Sequence, residues 1–356
     1  MTTYPLIGAT ADATVLPQGA ADLLAGDEEN IWCTSQDGLS KYYVAGALKP
    51  WPGIQDGILL VGGLKGLTPN FKHLDLKAAR QPGVTWTGTV YDVLEMDMQL
   101  EAHANTPQGI SQVVSEWVSM WTPEVLNTVE YWTIDRSYWY LPARRSKPWP
   151  DVLKQMPRLL RMRSFTQTIR CDSGFWFGMP SIDTFQPGGS GGSGWLRLMN
   201  IGNQPGWPTI MFTGPGTVSF SNGPAQNTNT MITFGPLEAG QKVLITTRRR
   251  LRNIVDLTNT TAAQPNTPTA ALLSQIINFV TNNNVPPLLQ WFESRFGVLP
   301  PQGPLYSLLS GQYTNPIPGV RQPSWAQQAY IAVSITGGNS DSQVVGRIDP
   351  QRDWPE

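Results

Sequence analysis

Three carboxylates at alternating positions are the most chemically suggestive spacing in this sequence. Glu95, Asp97 and Glu101 interleave with Leu94, Met96, Met98, Leu100 and Ala102. In an extended chain, residues i and i+2 share one face, so the acids line one side and the apolar residues the other. Paired carboxylates could hydrolyse a glycosidic bond or hold a cation. A glycosidase draws its acid and its base from different strands, so acids along a single strand describe a solvated acidic face. Gly188-Gly189-Ser190-Gly191-Gly192 matches the nucleophile pattern G-x-S-x-G, but that pattern needs a strand before it and a helix after it. Here it lies in a Gln-Pro-Gly-Gly-Ser run, and the two histidines, His73 and His103, both precede it. Arg248, Arg249, Arg250 and Arg252 form the one tight basic cluster. If the preceding strand continues through them, alternate arginines point to opposite faces, which suits edge or inter-subunit contacts better than phosphate binding. Gly62-Gly63-Leu64-Lys65-Gly66 lacks both the spacing and the Ser/Thr of a phosphate loop. Cys33 and Cys171 are too few and too distant for a disulfide framework or a zinc cage. No catalytic, metal-binding or cofactor-binding set is expected, and the chain reads as a non-enzyme.

The composition bounds what must position these residues. The chain has 356 residues, 25 Lys+Arg against 26 Asp+Glu, and a formal net charge of -1. No broad cationic field is available to hold a nucleic acid. Only 14% of residues are charged, whereas Gly (34) and Pro (31) are abundant, which favours turn-rich β structure over helical bundles. The first twenty residues lack a basic and an apolar leader region, and no run has the length and apolarity of a membrane span. Synthesis and retention in a cytoplasm are therefore expected.

The expected first domain spans 1–185 and is β-rich with one packed helix. Thr85 to Ala102 reads as one long strand. Thr106-Pro107 then supplies an N-cap and a first-turn proline for a helix carrying Ile110, Val113, Val114, Trp117, Val118 and Trp121, ending before Pro123. Aromatic and β-branched segments from Glu130 and from Leu159 read as further strands. Residues 186–194 read as a Gly/Ser linker. After it, WLRLMNI, TIMFT, TVSF, MITF and KVLITT are short strands with turn punctuation, the pattern of a β-sandwich over 195–356. A helical insertion at about 258–323 interrupts it, with Leu272, Ile276, Phe279, Trp291 and Phe292 as candidate docking residues, before AYIAVSITGG and SQVVGRID resume the strands.

The second half carries an ordered set of segments: Asn200-Ile201-Gly202-Asn203, Trp207-Pro208-Thr209-Ile210, Thr213-Gly214-Pro215-Gly216, Ile232-Thr233-Phe234 and Leu237-Glu238-Ala239-Gly240-Gln241-Lys242-Val243-Leu244-Ile245-Thr246-Thr247. This order resembles the distal tail protein family of long-tailed, non-contractile bacteriophages. Thr246-Thr247 departs from the family's usual Asp-Thr. The first half resembles the family's belt domain through its alternating strand, its helix and Cys171-Asp172-Ser173-Gly174-Phe175-Trp176. Residues 136–144, RSYWYLPAR, look like those of phages with actinobacterial hosts.

The resemblance implies a mainly β protein: a ring-forming belt β-sandwich with one α-helix, then a galectin-like β-sandwich with the helical insertion. It implies a structural virion protein at the tail tip, a six-membered hub between the tail tube and the baseplate proteins. The implied partners are further copies of itself, the tail tube protein, the tape measure protein and the tail-associated hub proteins, with phage DNA passing through without specific binding. If the alternating strand lines such a ring, Glu95, Asp97 and Glu101 would repel the phosphates of passing DNA. The alternative is a carbohydrate-binding tail module whose sandwich domain recognises a host-surface glycan.

Overall fold

The computed structural model describes residues 29–77, 82–134, 137–149, 156–224, 230–248, 253–257 and 308–355. The chain divides into two units, Met1–Trp176 with Asp353–Glu356, and Phe177–Arg352. Both are built from antiparallel strands, and no described helix is long and apolar enough to cross a membrane.

The first unit contains β1 (Asn30–Thr34), β2 (Lys41–Ala45), β3 (Gly57–Lys65), β4 (Phe71–Leu76), β5 (Thr85–Tyr91), β6 (Leu94–His103), α1 (Pro107–Met120), β7 (Asn127–Thr133), β8 (Ser137–Arg145), a short helix α2 (Pro157–Leu160) and β9 (Met162–Cys171). Its main sheet runs β2-β1-β7-β8-β9-β6-β3. β8 pairs with β7 through Ser137–Ala143 and then with β9 through Arg144 and Arg145, so its two ends serve different neighbours. The alternation read in β6 is realised: Leu94, Met96, Met98, Leu100 and Ala102 are buried, and the acids face outward. α1 starts as its sequence dictates. Thr106 Oγ1 accepts from the Gly109 N–H at 2.9 Å, Pro107 occupies the first turn, and Ile110, Val113, Trp117 and Met120 are buried. Two polar links fix the helix on the sheet: Trp117 Nε1 donates to Gln167 Oε1 of β9 at 2.6 Å, and Tyr42 Oη of β2 to Glu116 Oε2 at 3.0 Å.

The expected single strand from Thr85 to Ala102 is instead two strands, β5 and β6. The chain leaves the main sheet at Asp92, whose N–H donates to Asn70 O, and β5 pairs with β4 in a separate two-stranded sheet. Periodicity carried through the break, because an extended chain keeps its alternation whichever sheet it joins.

The chain continues with β10 (Trp176–Gly178), β11 (Ser181–Phe185), β12 (Gly191–Met199), β13 (Thr209–Thr213), β14 (Gly216–Ser221), β15 (Met231–Leu237), β16 (Lys242–Thr246), β17 (Asn253–Asp256), β18 (Leu309–Ser310), β19 (Gln328–Thr336), β20 (Gln343–Ile348) and β21 (Gln351–Arg352), of which β11 to β20 build the second unit. Two five-stranded sheets, β11-β20-β13-β16-β17 and β12-β19-β14-β15-β18, enclose one apolar core. Leu196, Phe212, Phe220, Phe234, Ile331 and Val344 are fully or almost fully buried in it. The peptide bonds preceding Pro215 and Pro236 are cis.

Two expected boundaries move. Residues 186–194 do not link the domains: they form the turn between β11 and β12 and the first residues of β12, which pairs with β19 from Gly191 onward. Glycine here serves close packing, since a Cβ at Gly194 would meet the Phe185 ring at 2.3 Å. The end of the expected insertion also belongs to the sandwich. Tyr313 and Ile317 are buried in its core, Asn222 Nδ2 donates to Thr314 Oγ1 at 2.8 Å, and Asn200 Nδ2 donates to Gln204 O at 2.9 Å and to Ile317 O at 3.2 Å. Asn200 is therefore a buried clasp for the returning chain, which accounts for an asparagine in the middle of an apolar run.

Candidate functional site

Glu95, Asp97 and Glu101 share the outer face of β6, and the neighbouring strand supplies hydroxyls to them. Thr168 Oγ1 donates to Asp97 Oδ1 at 2.6 Å, Ser164 Oγ to Glu101 Oε2 at 3.3 Å, and Ser146 Oγ to Glu95 Oε1 at 2.7 Å. Arg170 stands opposite Glu95 in the register, yet its guanidinium turns to Asp172 at 2.7 Å, where Arg144 also arrives at 3.2 Å. Each acid is thus solvated singly by a hydroxyl. The three form a line with steps of about 7 Å per two residues rather than converging on one point. No group of three His, Cys, Asp or Glu is arranged to hold a metal ion among the described residues. A linear acidic face can repel anions.

A second carboxylate, which sequence reading did not single out, is held far more tightly. Glu130 of β7 is buried, accepts from Trp32 Nε1, and also receives Thr34 Oγ1 at 2.5 Å and Tyr138 Oη at 2.9 Å. Trp32 packs against Tyr43 and Tyr138 at ring separations of 5.9 and 6.1 Å, and Lys41 Nζ lies 4.7 Å from the Trp32 ring centre. Burial, reinforced by the adjacent Glu130 charge, pushes the Tyr138 phenol above its ordinary value, so it stays a donor. The signal in the sequence was a lone acid among Trp and Tyr in a strand whose neighbours Val129 and Tyr131 face the core. Three donors on one buried carboxylate make a structural knot that ties β1, β7 and β8 together.

The thiols are equally quiet. Burial pushes both Cys33 and Cys171 above the ordinary thiol range, the opposite of what a nucleophile needs. His103 is buried, and its ring nitrogens make no hydrogen bond of ordinary geometry. Burial lowers its pKa, although the Gln55 backbone, Glu101 and Asp56 favour the protonated ring.

The most unusual surface is the β4–β5 hairpin. Phe71 (56% exposed), Leu74, Leu76, Trp86 (62%) and Val90 all project into solvent. Phe71 and Tyr91 face each other across one side, while Leu74 and Val90 lie on the other, so neither side is covered. Its base is secured: Tyr91 packs on Phe175 at 5.0 Å, and Lys72 pairs with Asp92 at 3.4 Å. Gly174 has φ +76, and a Cβ there would meet Asp92 O at 2.6 Å.

The expected basic strand stops before Arg248: β16 ends at Thr246, and Thr247 donates its hydroxyl to Pro208 O at 2.5 Å. Arg248 follows it half-buried and outside a strand, and burial lowers its pKa. Arg249, Arg250, Arg252, Leu272, Ile276, Phe279, Trp291 and Phe292 lie outside the described residues.

No protein-family model matches the chain. No curated protein matches it by sequence. Among solved structures, it is similar to the Dit protein of phage SPP1, described as a paradigm of the hub adsorption apparatus in phages infecting Gram-positive hosts. That alignment has 10% identity and a TM-score of 0.45, covering 82% of this chain and 93% of that one. It is also similar to chains of the phage P2 baseplate in its activated conformation, with Ca and with Sr. Each of those has 10% identity and a TM-score of 0.48, covering 92% of this chain and 99% of the other.

Proposed function

We propose that this chain is a structural, non-enzymatic subunit of a phage tail tip, a distal tail protein that self-associates into a ring-shaped hub. The ordered segments from Asn200 to Thr247 support the family reading. The observation that carries self-association is the β4–β5 hairpin. An isolated two-stranded sheet is marginal in water, and one exposing Phe71, Leu74, Leu76, Trp86 and Val90 across its two faces leaves more apolar surface than a free monomer usually keeps. Covering it by a neighbouring subunit would bury both its faces and its edges.

In this reading the ring has six members and an open channel, sits between the tail tube and the baseplate hub proteins, contacts the tape measure protein, and belongs to the mature virion. The outer face of β6, with Glu95, Asp97 and Glu101, would line the channel and keep DNA phosphates from adhering. The residues after Leu257 would dock a neighbouring tail-tip protein. Light scattering with negative-stain imaging of the purified chain tests the ring: an assembly of six subunits with a central opening is expected, dispersed by Trp86→Glu. An assembly indifferent to Trp86→Glu would count against the hairpin as the contact. Lysine at positions 95, 97 and 101 is expected to slow genome ejection with ring assembly intact, and ejection at the normal rate would remove the channel role.

A further inference from the structure

The carboxylate knot at Glu130 has an outward side that its structural role does not use. Ile31, Cys33, Tyr42, Val44, Val129 and Leu141 of β1, β2, β7 and β8 are buried in the core, so the alternate residues of these strands share the opposite face. The register places Tyr43, Trp32, Glu130 and Tyr140 in one row across the four strands. Tyr138 packs on both Trp32 and Tyr140, with ring centres 6.1 and 6.0 Å apart. Four aromatic rings therefore stand around one carboxylate.

An ammonium already stands on this face. Lys41 Nζ is 4.7 Å from the Trp32 ring centre and 5.4 Å from that of Tyr43, and the two rings are inclined at 46° to each other. Two ring systems thus serve one cation. Glu130 lies on the other side of Trp32 from Tyr43, and its charge is met by three hydrogen bonds and by no ion pair among the described residues. Lys41 likewise forms no ion pair among the described residues, and it stands half-buried at the start of β2, the last strand of its sheet, on a flexible four-carbon stem. A primary ammonium is strongly hydrated and must give up water to sit against rings, so Lys41 is a weak occupant.

From this geometry we infer that the outer face of β1, β2, β7 and β8 is a binding site for a quaternary ammonium group, which displaces the Lys41 ammonium and packs its methyl groups against Trp32 and Tyr43. A trimethylated nitrogen spreads its charge over methyl groups and is weakly hydrated, so it loses less on leaving water than Lys41 does. The Glu130 charge behind the indole adds attraction. A neutral apolar group would use the rings but not that charge, and an anion would be repelled by it. A metal ion would need further ligands, and no group of three His, Cys, Asp or Glu gathers here among the described residues. Two sources carry the required group, a choline headgroup and a trimethylated lysine side chain. The site lies within the first unit and does not rest on the hub reading.

The test is calorimetric titration of the full chain with phosphocholine, with an acetylated trimethyl-lysine amide and with the neutral tert-butyl analogue of choline. The two ammonium compounds are expected to bind and the neutral analogue is not; the tighter of the two ammonium compounds identifies the source. Lys41→Ala is expected to strengthen binding about two- to fivefold, because it removes the competing occupant. A lysine with a structural role only would not give that gain. Trp32→Leu should abolish binding, but it also takes a donor from Glu130. Tyr43→Leu is the companion variant: it leaves all three Glu130 hydrogen bonds in place, keeps a side chain the strand accepts, and should weaken binding at least about threefold. Trp86→Glu, which disperses the proposed ring, should leave affinity per subunit unchanged, so failure of the ring and failure of the ammonium site are separable. No binding of either ammonium compound, equal binding of the neutral analogue, or an affinity indifferent to Lys41→Ala would overturn the inference.

Discussion

The two units of this protein dispose of their apolar surface in opposite ways. The second unit encloses most of its large apolar side chains between two sheets, with a separate small cluster of Met211, Leu244, Leu257 and Val345, and it closes part of an edge with Asp183 and Ser181. The first unit needs polar contacts inside its packing, through Trp117 with Gln167 and Tyr42 with Glu116, and it sends Phe71, Leu74, Trp86 and Val90 outward on a hairpin whose packing among the described residues is at its base. A unit that buries its own apolar area can act as a display surface. A unit that leaves apolar area uncovered is suited to assembly, where a neighbour completes the burial.

That contrast is open to measurement, beginning with the core of the second unit. Phe234→Ala should cost about 3–5 kcal/mol in the unfolding transition of that unit, because a fully buried ring in a closed core leaves a cavity. A much smaller loss in urea titration would mean the sandwich is looser than its packing implies. Next is the helix tie of the first unit. Trp117→Phe keeps most of the volume but strips Gln167 Oε1 of its donor, and should cost about 1–3 kcal/mol.

Third is the pH response of the first unit. Burial holds His103 below its unfolded value of about 6.5. The unfolded chain therefore takes up the proton first. Stability is fully present above about pH 6.5 and declines as pH falls below it, until the folded-state ring also protonates. His103→Leu should flatten that decline in thermal unfolding measured at successive pH values, and an unaltered profile would assign the slope to other groups. The smallest effect on stability is expected at the hairpin. Trp86→Ala should change unfolding of the isolated chain by less than about 0.5 kcal/mol, because the indole is exposed, while abolishing self-association. A large loss of monomer stability would show that the hairpin packs on its own unit and would erase the contrast.

Much of the fold was legible because alternation and capping are local. The acids of β6, the N-cap at Thr106 and the short strands WLRLMNI, TIMFT, TVSF, MITF and KVLITT all lie where period and punctuation place them. The errors lie where a local pattern was silent about partners. Residues 85–102 kept one phase across a change of sheet. Residues 186–194 have the composition of a linker, yet their small size is what lets Gly194 approach the Phe185 ring. Residues 308–323 lacked a strand period, although Tyr313 and Ile317 are core residues held by Asn200 and Asn222. Arg248 follows a strand without continuing it, since β16 ends at Thr246 and Thr247 turns to hydrogen-bond Pro208.

By itself the sequence determined the β-rich class, the capped helix and the outward acidic row, since each depends on the stereochemistry of neighbouring residues. Only the tertiary structure decided which strands pair. Pairing is set by packing between distant segments, and it creates the features of most interest for function. Glu130 gathers donors from β1 and β8, the hairpin is left uncovered on both sides, and the rings of Trp32 and Tyr43 from two strands meet at one ammonium. None of these is a motif in the chain, because each is assembled across strands whose spacing in sequence carries no information about their distance in space.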